Sequence, residues 1–235
     1  MAPSAIIYPC GVSLASDGAE LEARCRLLVG ADGVNSRIAQ WVKAADEIHE
    51  PGYRGIFYCY VRGFQGPLGV LDGMEFSQWG DEAAYVFPSD HGVTCLALTL
   101  NLEQYGWMRK GAKKRFWQRM KDYACFEGRL SGLKIVGPPI LGCGPVPNYM
   151  RVPNGPGWAL VGDAGMHIDP WAGLGMDNAS THASFLADSL LDFSAGRCSL
   201  EEALASYHHQ RNEASNQMYR NVVDSSRDLR SLDSD

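Results

Sequence analysis

The sequence predicts an α/β protein in which one layer of short strands and helices is split by an inserted antiparallel sheet and followed by C-terminal helices. Three observations carry that prediction. Two short apolar runs, Leu27-Leu28-Val29 and Trp158 to Val161, each lead into a turn containing Gly and Asp, and the second reads as a short buried strand whose carboxyl end delivers Asp163 to a crevice. Between them, from Tyr53 to Leu100, aromatic and aliphatic residues alternate with polar ones in YRGIFYCYV, MEFSQW, AAYVFP and VTCLALTL, the pattern of strands with one face on a core. After the second turn, Ala179, Ala183, Leu186 and Leu190 recur at helical spacing.

Taken in order, GVSLA and AELEAR flank Ser16-Asp17-Gly18 and predict a hairpin. The run Leu27 to Val29 then ends at GADGVNSR, where Asn35-Ser36-Arg37 reads as a helix start. Gly80-Asp81-Glu82 and Ser89-Asp90-His91-Gly92 separate the later strands of the meander, and a helix is expected over about Gln104 to Phe126. The Gly/Pro-rich stretch VGPPILGCGPVPNYMRVPNGPG reads as a connection. Beyond the glycine turn Gly173-Leu174-Gly175, the alanine and leucine stripe is expected to pack inward. The last helix opens on Ser199-Leu200-Glu201-Glu202, a capping box. The division expected is 1–48, 49–145 and 146–235.

A chain of 235 residues with 46% hydrophobic and 20% charged content can build a sizeable core. The net charge of -6 offers no overall attraction to phosphate backbones or anionic membranes, so neither nucleic acid nor membrane is expected as a partner. The basic stretch KGAKKRFWQR fits an amphipathic helix. No apolar run of about 18 residues and no signal segment is visible, and a cytoplasmic location is expected. Seven cysteines scattered without a C-x-x-C pair argue against a disulfide framework and a metal site. Those in apolar company, Cys59 and Cys95 among them, read as buried inert thiols.

The glycine turn raises the functional question. Two glycines just before a helix leave its first-turn amides unpaired and open to an electron-rich oxygen or an anion, with Asp163 close by at a strand end. RLLVGADGVNSR and GWALVGDAGMHIDPWAGLGMDNAS resemble the second and third cofactor motifs of the FAD-dependent aromatic hydroxylases, the single-component flavoprotein monooxygenases related to para-hydroxybenzoate hydroxylase. The resemblance spans nearly the whole chain. It implies a partial FAD/NAD(P)-binding Rossmann-like layer in the first and last segments, with a substrate-binding sheet domain between them.

It also implies roles residue by residue. Asp163, after Gly162, would accept a hydrogen bond from a ribityl hydroxyl of FAD, and Pro170 would lie near the isoalloxazine ring. Gly173, Leu174, Gly175 and Met176 would face the pyrimidine end, where a helix N-terminus favours negative charge. Asp32, Gly33 and Arg37 would serve both FAD and the nicotinamide nucleotide. Simpler readings stand beside these: an Asx turn for Asp163, an ordinary turn for Asp32-Gly33 and a surface ion pair for Arg37. Trp171 reads equally as a flavin neighbour or as core. His167 reads as a loop-positioning residue rather than a base, and His208-His209 as a solvated face. Tyr58, Tyr60, Phe76, Trp79 and Tyr85 are candidates for an aromatic substrate lining, although alternate strand positions face opposite ways.

The sequence departs from the family in two places. His182 stands where the family more often has Asp, and no G-x-G-x-x-G precedes Gly30; GLGMDN and GCGPVP both fail at the third glycine. The chain thus resembles the carboxyl-terminal two-thirds of such an enzyme, and an N-terminal segment or a second chain is expected to complete the FAD site. The implied activity is NAD(P)H- and O₂-dependent hydroxylation of an aromatic or polyketide-like small molecule, with no catalytic acid or base named. The alternatives are a flavin-fold remnant acting as a non-redox binding module, and another flavoenzyme, a halogenase or dehydrogenase.

Overall fold

The computed structural model describes residues 5–8, 11–16, 19–66, 69 and 73–234. The strands are β1 (Ala5–Tyr8), β2 (Gly11–Ser16), β3 (Ala19–Arg24), β4 (Leu28–Gly30), β5 (Asp46–Glu50), β6 (Arg54–Arg62), β7 (Glu75–Gln78), β8 (Glu82–Pro88), β9 (Val93–Asn101), β10 (Lys134–Cys143), β11 (Asn148–Arg151), β12 (Asn154–Gly155), β13 (Trp158–Leu160) and β14 (Met166–His167). The helices are α1 (Arg37–Trp41), α2 (Leu102–Arg109), α3 (Ala112–Asp122), α4 (Gly175–Ser194) and α5 (Leu200–Arg227). They form two compact units, one of Met1–Glu50, Asn148–Ile168 and Gly173–Asn221, the other of Pro51–Pro147, Asp169–Ala172 and Val222–Asp235.

In the first unit the strands of the two apolar runs pair in parallel, Leu28 opposite Trp158, Val29 opposite Ala159 and Gly30 opposite Leu160. The Val161 amide continues the ladder by donating to the Gly30 carbonyl at 2.9 Å. Parallel pairing puts both carboxyl ends, and so both Gly/Asp turns, on the same side of the sheet. Gly30 is required for this layer: a Cβ there would meet Leu160 Cδ2 at 2.7 Å and Ile38 at 2.9 Å, where α1 crosses the strand. The predicted hairpin is β2 with β3, in register from Gly11–Arg24 to Ser16–Ala19; its turn residues Asp17 and Gly18 lie outside the described residues. A separate antiparallel sheet runs β14-β11-β5.

Helix α4 packs Leu186 with Ala159, Val161, Leu204 and Tyr207, and Leu190 flanks that cluster. The inward stripe predicted for α4 is broken at Ala183, which is exposed, while Ala179 is half-buried against the Gly162 turn. The capping box of α5 forms as read: the Ser199 amide donates to Glu202 Oε2 at 2.8 Å and the Glu202 amide to Ser199 Oγ at 3.2 Å. These bonds, the Ser199 amide first, hold the Glu202 carboxyl below its ordinary value.

The second unit is built on a five-stranded sheet of order β10-β6-β9-β8-β7. One face, with Phe57, Cys59, Val61, Leu96, Leu98 and Leu100, shares a core with Met108, Phe116 and Met120 of α2 and α3. The other carries Ala83, Tyr85 and Ala97, packed with Leu229, Ile56, Tyr58, Phe87 and Trp171.

Three expectations change here. The single helix expected over about Gln104 to Phe126 is two, because the chain extends at Gly111 (φ −170) and restarts at Ala112. The Gly/Pro-rich connection begins inside edge strand β10, whose register with β6 shifts between Val136 and Leu141, where Pro138 and Pro139 sit. Prolines are tolerated at an edge or a bulge, so the sequence signal for a loop here marks an irregular strand. Of the two cysteines named as buried thiols, Cys59 is buried but Cys95 is only half-buried, and Cys125 and Cys143 are exposed.

Candidate functional site

Where the carboxyl ends of β4 and β13 emerge, the first unit holds a cleft of about 610 Å³ lined by Ala31, Gly33, Val161, Gly162, Asp163 and the first two turns of α4, from Gly175 and Met176 to Ala183. Its size is ordinary for a small-molecule site. Each wall follows from local backbone requirements. Gly162 sits at φ +58, and a Cβ there would also meet Ala179 Cβ at 3.2 Å, so the turn after β13 can lie against α4 only with glycine on one side and alanine on the other. Gly33, at φ +76, turns the chain after β4, and a Cβ on it or on Gly175 would meet nothing within 4 Å. Those two backbones border open space.

The start of α4 is unusually bare. Its N-cap, Leu174, makes no side-chain cap bond, and Asn178 is the first residue whose amide closes a helical turn, to the Leu174 carbonyl at 3.0 Å. Among the described residues, the amides of Gly175, Met176 and Asp177 have no acceptor, as first-turn amides lack one within the helix itself. Met176 beside them is 83% exposed.

The two aspartates differ. Among the described residues the Asp163 carboxylate makes no hydrogen bond, and it lines the cleft. The Asp32 carboxylate instead accepts from the Arg37 amide at 2.7 Å, the Ile38 amide at 3.1 Å and the Ser36 hydroxyl at 2.6 Å. Burial pulls the Asp32 carboxyl up, but the Ser36 hydroxyl and the Ile38 and Arg37 amides outweigh it, and the net shift is downward. Asp32 thus finishes the start of α1, where Ser36 is the N-cap, and leaves Gly33 to face the cleft.

Of the residues singled out in the sequence, the cleft brings together Gly33, Gly162, Asp163, Gly175 and Met176. Asp32, Arg37, Gly173 and Leu174 are not among its walls. Arg37 is exposed and lies over the Trp41 ring at 4.8 Å, while Gly173 supplies the left-handed turn (φ +70) before α4. Pro170 belongs to the second unit, in a short turn through Ala172. There Trp171 is a structural residue: its indole donates to the Val222 carbonyl at 3.0 Å and its own carbonyl accepts from Tyr85 Oη at 2.6 Å.

Sequence reading gave Ala31 and Ser180 no role and took Ala179 and Ala183 for an inward-packing stripe; all four line the cleft and leave it wide. It also missed the polar seat of α4 and α5. His208, read as part of a solvated face, bonds Glu47 at 2.6 Å, and buried Arg211 bonds Glu47 at 3.0 Å and the Arg151 carbonyl at 2.7 Å. His182 is buried on α4 with Nε2 2.9 Å from Ser215 Oγ; burial, with Arg211 adding to it, holds its pKa down to about 4. His167 lies against the Tyr149 ring, 5.9 Å between centroids.

In the second unit the sheet face opposite α2 and α3 is aromatic. Tyr58 and Tyr60 meet edge to face at 5.9 Å, and Tyr85 packs on Phe76 at 5.3 Å and Phe87 at 5.6 Å. Trp79 leaves this group: it lies against Tyr123 at 5.8 Å and under the Arg119 guanidinium at 4.3 Å, on the helix side. Among the described residues no helix is long and apolar enough to cross a membrane.

No protein-family model and no curated protein matches the chain. Solved structures do. The myxobacterial chondrochloren halogenase CndH, described as a variant of FAD-dependent halogenases, superposes with a TM-score of 0.76 at 19% identity over 90% of this chain and 49% of its own. PqsL from Pseudomonas aeruginosa, described as a probable FAD-dependent monooxygenase, gives 0.63 at 22% identity over 96% and 64%. A variant of the halogenase PltM solved in complex with FAD gives 0.72 at 15% identity over 95% and 48%. The chain has the fold of these flavin-dependent enzymes. It spans about half to two-thirds of their length.

Proposed function

We propose that the chain is the flavin- and substrate-binding part of an FAD-dependent monooxygenase that uses NAD(P)H and O₂ to hydroxylate an aromatic or polyketide-like small molecule. The observation that carries this reading is the cleft at the paired strand ends: it is lined both by Asp163, whose carboxylate makes no hydrogen bond among the described residues, and by the start of α4, whose first three amides have no acceptor among them. FAD fits that donor set. A ribityl chain offers hydroxyl donors to Asp163, the pyrimidine edge offers carbonyl oxygens to the α4 amides, and the bare backbones of Gly33 and Gly175 admit a planar ring without displacing side chains.

When bound, FAD supplies the redox chemistry, passing electrons from NAD(P)H to O₂ so that one oxygen atom reaches the substrate and the other leaves as water. The chain's own residues bind and orient. Asp163 accepts a hydroxyl hydrogen bond, the amides of Gly175 and Met176 stabilise negative charge on the ring edge, and Gly33 lets the loop after β4 approach closely. Tyr58, Tyr60, Phe76 and Phe87 offer an aromatic substrate stacking and edge contacts on one apolar sheet face, with buried Tyr85 behind them.

The second reading is halogenation on the same scaffold, favoured by the TM-scores of 0.76 and 0.72 against the two halogenases compared with 0.63 against PqsL. The test is titration with FAD, followed by incubation with NAD(P)H, O₂ and a panel of phenolic and anilinic substrates with and without chloride or bromide. Oxygen uptake with a product 16 mass units heavier supports hydroxylation. A halide-dependent product replaces it with halogenation, and FAD bound without oxygen uptake makes the chain a binding module.

A further inference from the structure

We propose that Tyr149 and Arg151, on β11, act together as a positioning brace that fixes the Asp163 turn and its spacing from the loop after β4. The inference rests on the flavin reading of the cleft. The Tyr149 hydroxyl lies 2.6 Å from the Asp163 carbonyl and 3.1 Å from the Val34 carbonyl, so one proton donor stands between the two chain segments that border the cleft. Tyr149 is 4% exposed. Burial, partly offset by Arg151, pushes its phenol up to about 12, so it keeps that proton throughout the physiological range.

Arg151 grips the same turn one residue further on. Its Nη1 donates to the Ala164 carbonyl at 2.7 Å, its amide donates to the Gly165 carbonyl at 2.8 Å, and its guanidinium covers the Tyr149 ring at 4.0 Å. Arg151 is held in turn by Asp46 at 3.5 Å, and its carbonyl accepts from buried Arg211. Three consecutive carbonyls, from Asp163 to Gly165, therefore take their donors from one strand. The 3-10 turn Gly162–Ala164 has no side-chain cap of its own. Its geometry, and with it the direction of the Asp163 carboxylate, depends on the brace. Loss of the Tyr149 hydroxyl would leave two carbonyls short of a donor, and the turn and the Val34 loop would be free to part.

The test uses Y149F and R151K in the chain as it stands, with three readouts. Hydrogen exchange without flavin should show faster exchange at Gly162–Gly165 in both variants, with strands β6 and β9 unchanged as an internal control for folding. FAD titration should show roughly three- to tenfold weaker binding for Y149F. In a D163A background, Y149F should cost little further affinity, because a brace that acts through Asp163 has nothing left to position. Unchanged exchange at the turn in both variants overturns the brace, as does an affinity loss that is fully additive with D163A. If the wild-type chain binds no FAD, the flavin reading is what fails, and the exchange experiment still judges the brace.

Discussion

Asp32 and Asp163 look alike in the sequence and serve opposite purposes in the structure. Each follows a short apolar strand, each neighbours a glycine with positive φ, and the strands pair in parallel so that both turns emerge on one side. Yet Asp32 spends its carboxylate on the start of α1, while that of Asp163 makes no hydrogen bond among the described residues and lines the cleft. The difference lies in what comes next along the chain. Helix α1 begins at Arg37, within reach of the Asp32 side chain, and its amides take the nearest acceptor. After Asp163 the chain runs through β14 and a second short turn before α4 begins at Gly175. Among the described residues neither the carboxylate nor the first three α4 amides find a hydrogen-bond partner, and a ligand can supply both.

The largest expected effect is at Gly175. A Cβ there meets nothing within 4 Å, so Gly175→Val should fold as the wild type, with an unchanged melting temperature. It should still lose detectable flavin binding, because the added side chain occupies the cleft in front of the α4 amides. Wild-type affinity in that variant would show that the helix start does not face the ligand.

Asp163→Ala should weaken FAD binding by about ten- to a hundredfold, the cost of roughly 1.5–3 kcal/mol for a hydrogen bond to a charged group, and should leave the melting temperature unaffected. Asp32→Ala should do the reverse. Loss of a helix-start acceptor costs about 0.5–2 kcal/mol, read as a lower midpoint in urea, with FAD affinity reduced less than by Asp163→Ala. Equal affinity losses would erase the distinction between the two turns.

Acid separates the two sides as well. His182 is less basic folded than unfolded, so the unfolded chain binds the extra proton, and stability should fall as pH drops from its ordinary value of 6.5 towards about 4. Asp32 is more acidic folded than unfolded; its contribution is present above its ordinary value of 3.8 and is lost as pH falls below that. In urea titrations from pH 7 to 3, His182→Gln should flatten the first decline and Asp32→Asn the second. A first decline unchanged in His182→Gln would place the buried proton acceptor elsewhere.

Much of this was legible in the sequence because it depends on local rules. The strands at Leu28 and Trp158, the Ser36 helix start, the Ser199 capping box and the glycines at 33, 162 and 173 are set by neighbours a few residues away. What escaped is set by long-range pairing. Nothing near Tyr149 in the sequence announces that its hydroxyl meets the Val34 carbonyl, and nothing near His208 announces Glu47. Trp79 and Phe76 look interchangeable as aromatic strand residues until sheet register puts Phe76 on Tyr85 and Arg119 of α3 takes Trp79. The use of Asp32 was readable in principle, since a carboxylate just ahead of Ser36 and Arg37 is an acceptor waiting for helix amides. The family resemblance pointed to the cofactor instead.

We propose that Asp163, and not Asp32, presents its carboxylate to FAD. Side-by-side fluorescence-quenching titrations of the wild-type chain, Asp163→Ala and Asp32→Ala with FAD, at a temperature where all three are folded, test it most directly, because the ratios hold whatever the absolute affinity. Asp163→Ala should raise the dissociation constant about ten- to a hundredfold, and Asp32→Ala by no more than about threefold. An unchanged constant for Asp163→Ala, or a larger loss for Asp32→Ala, would contradict it.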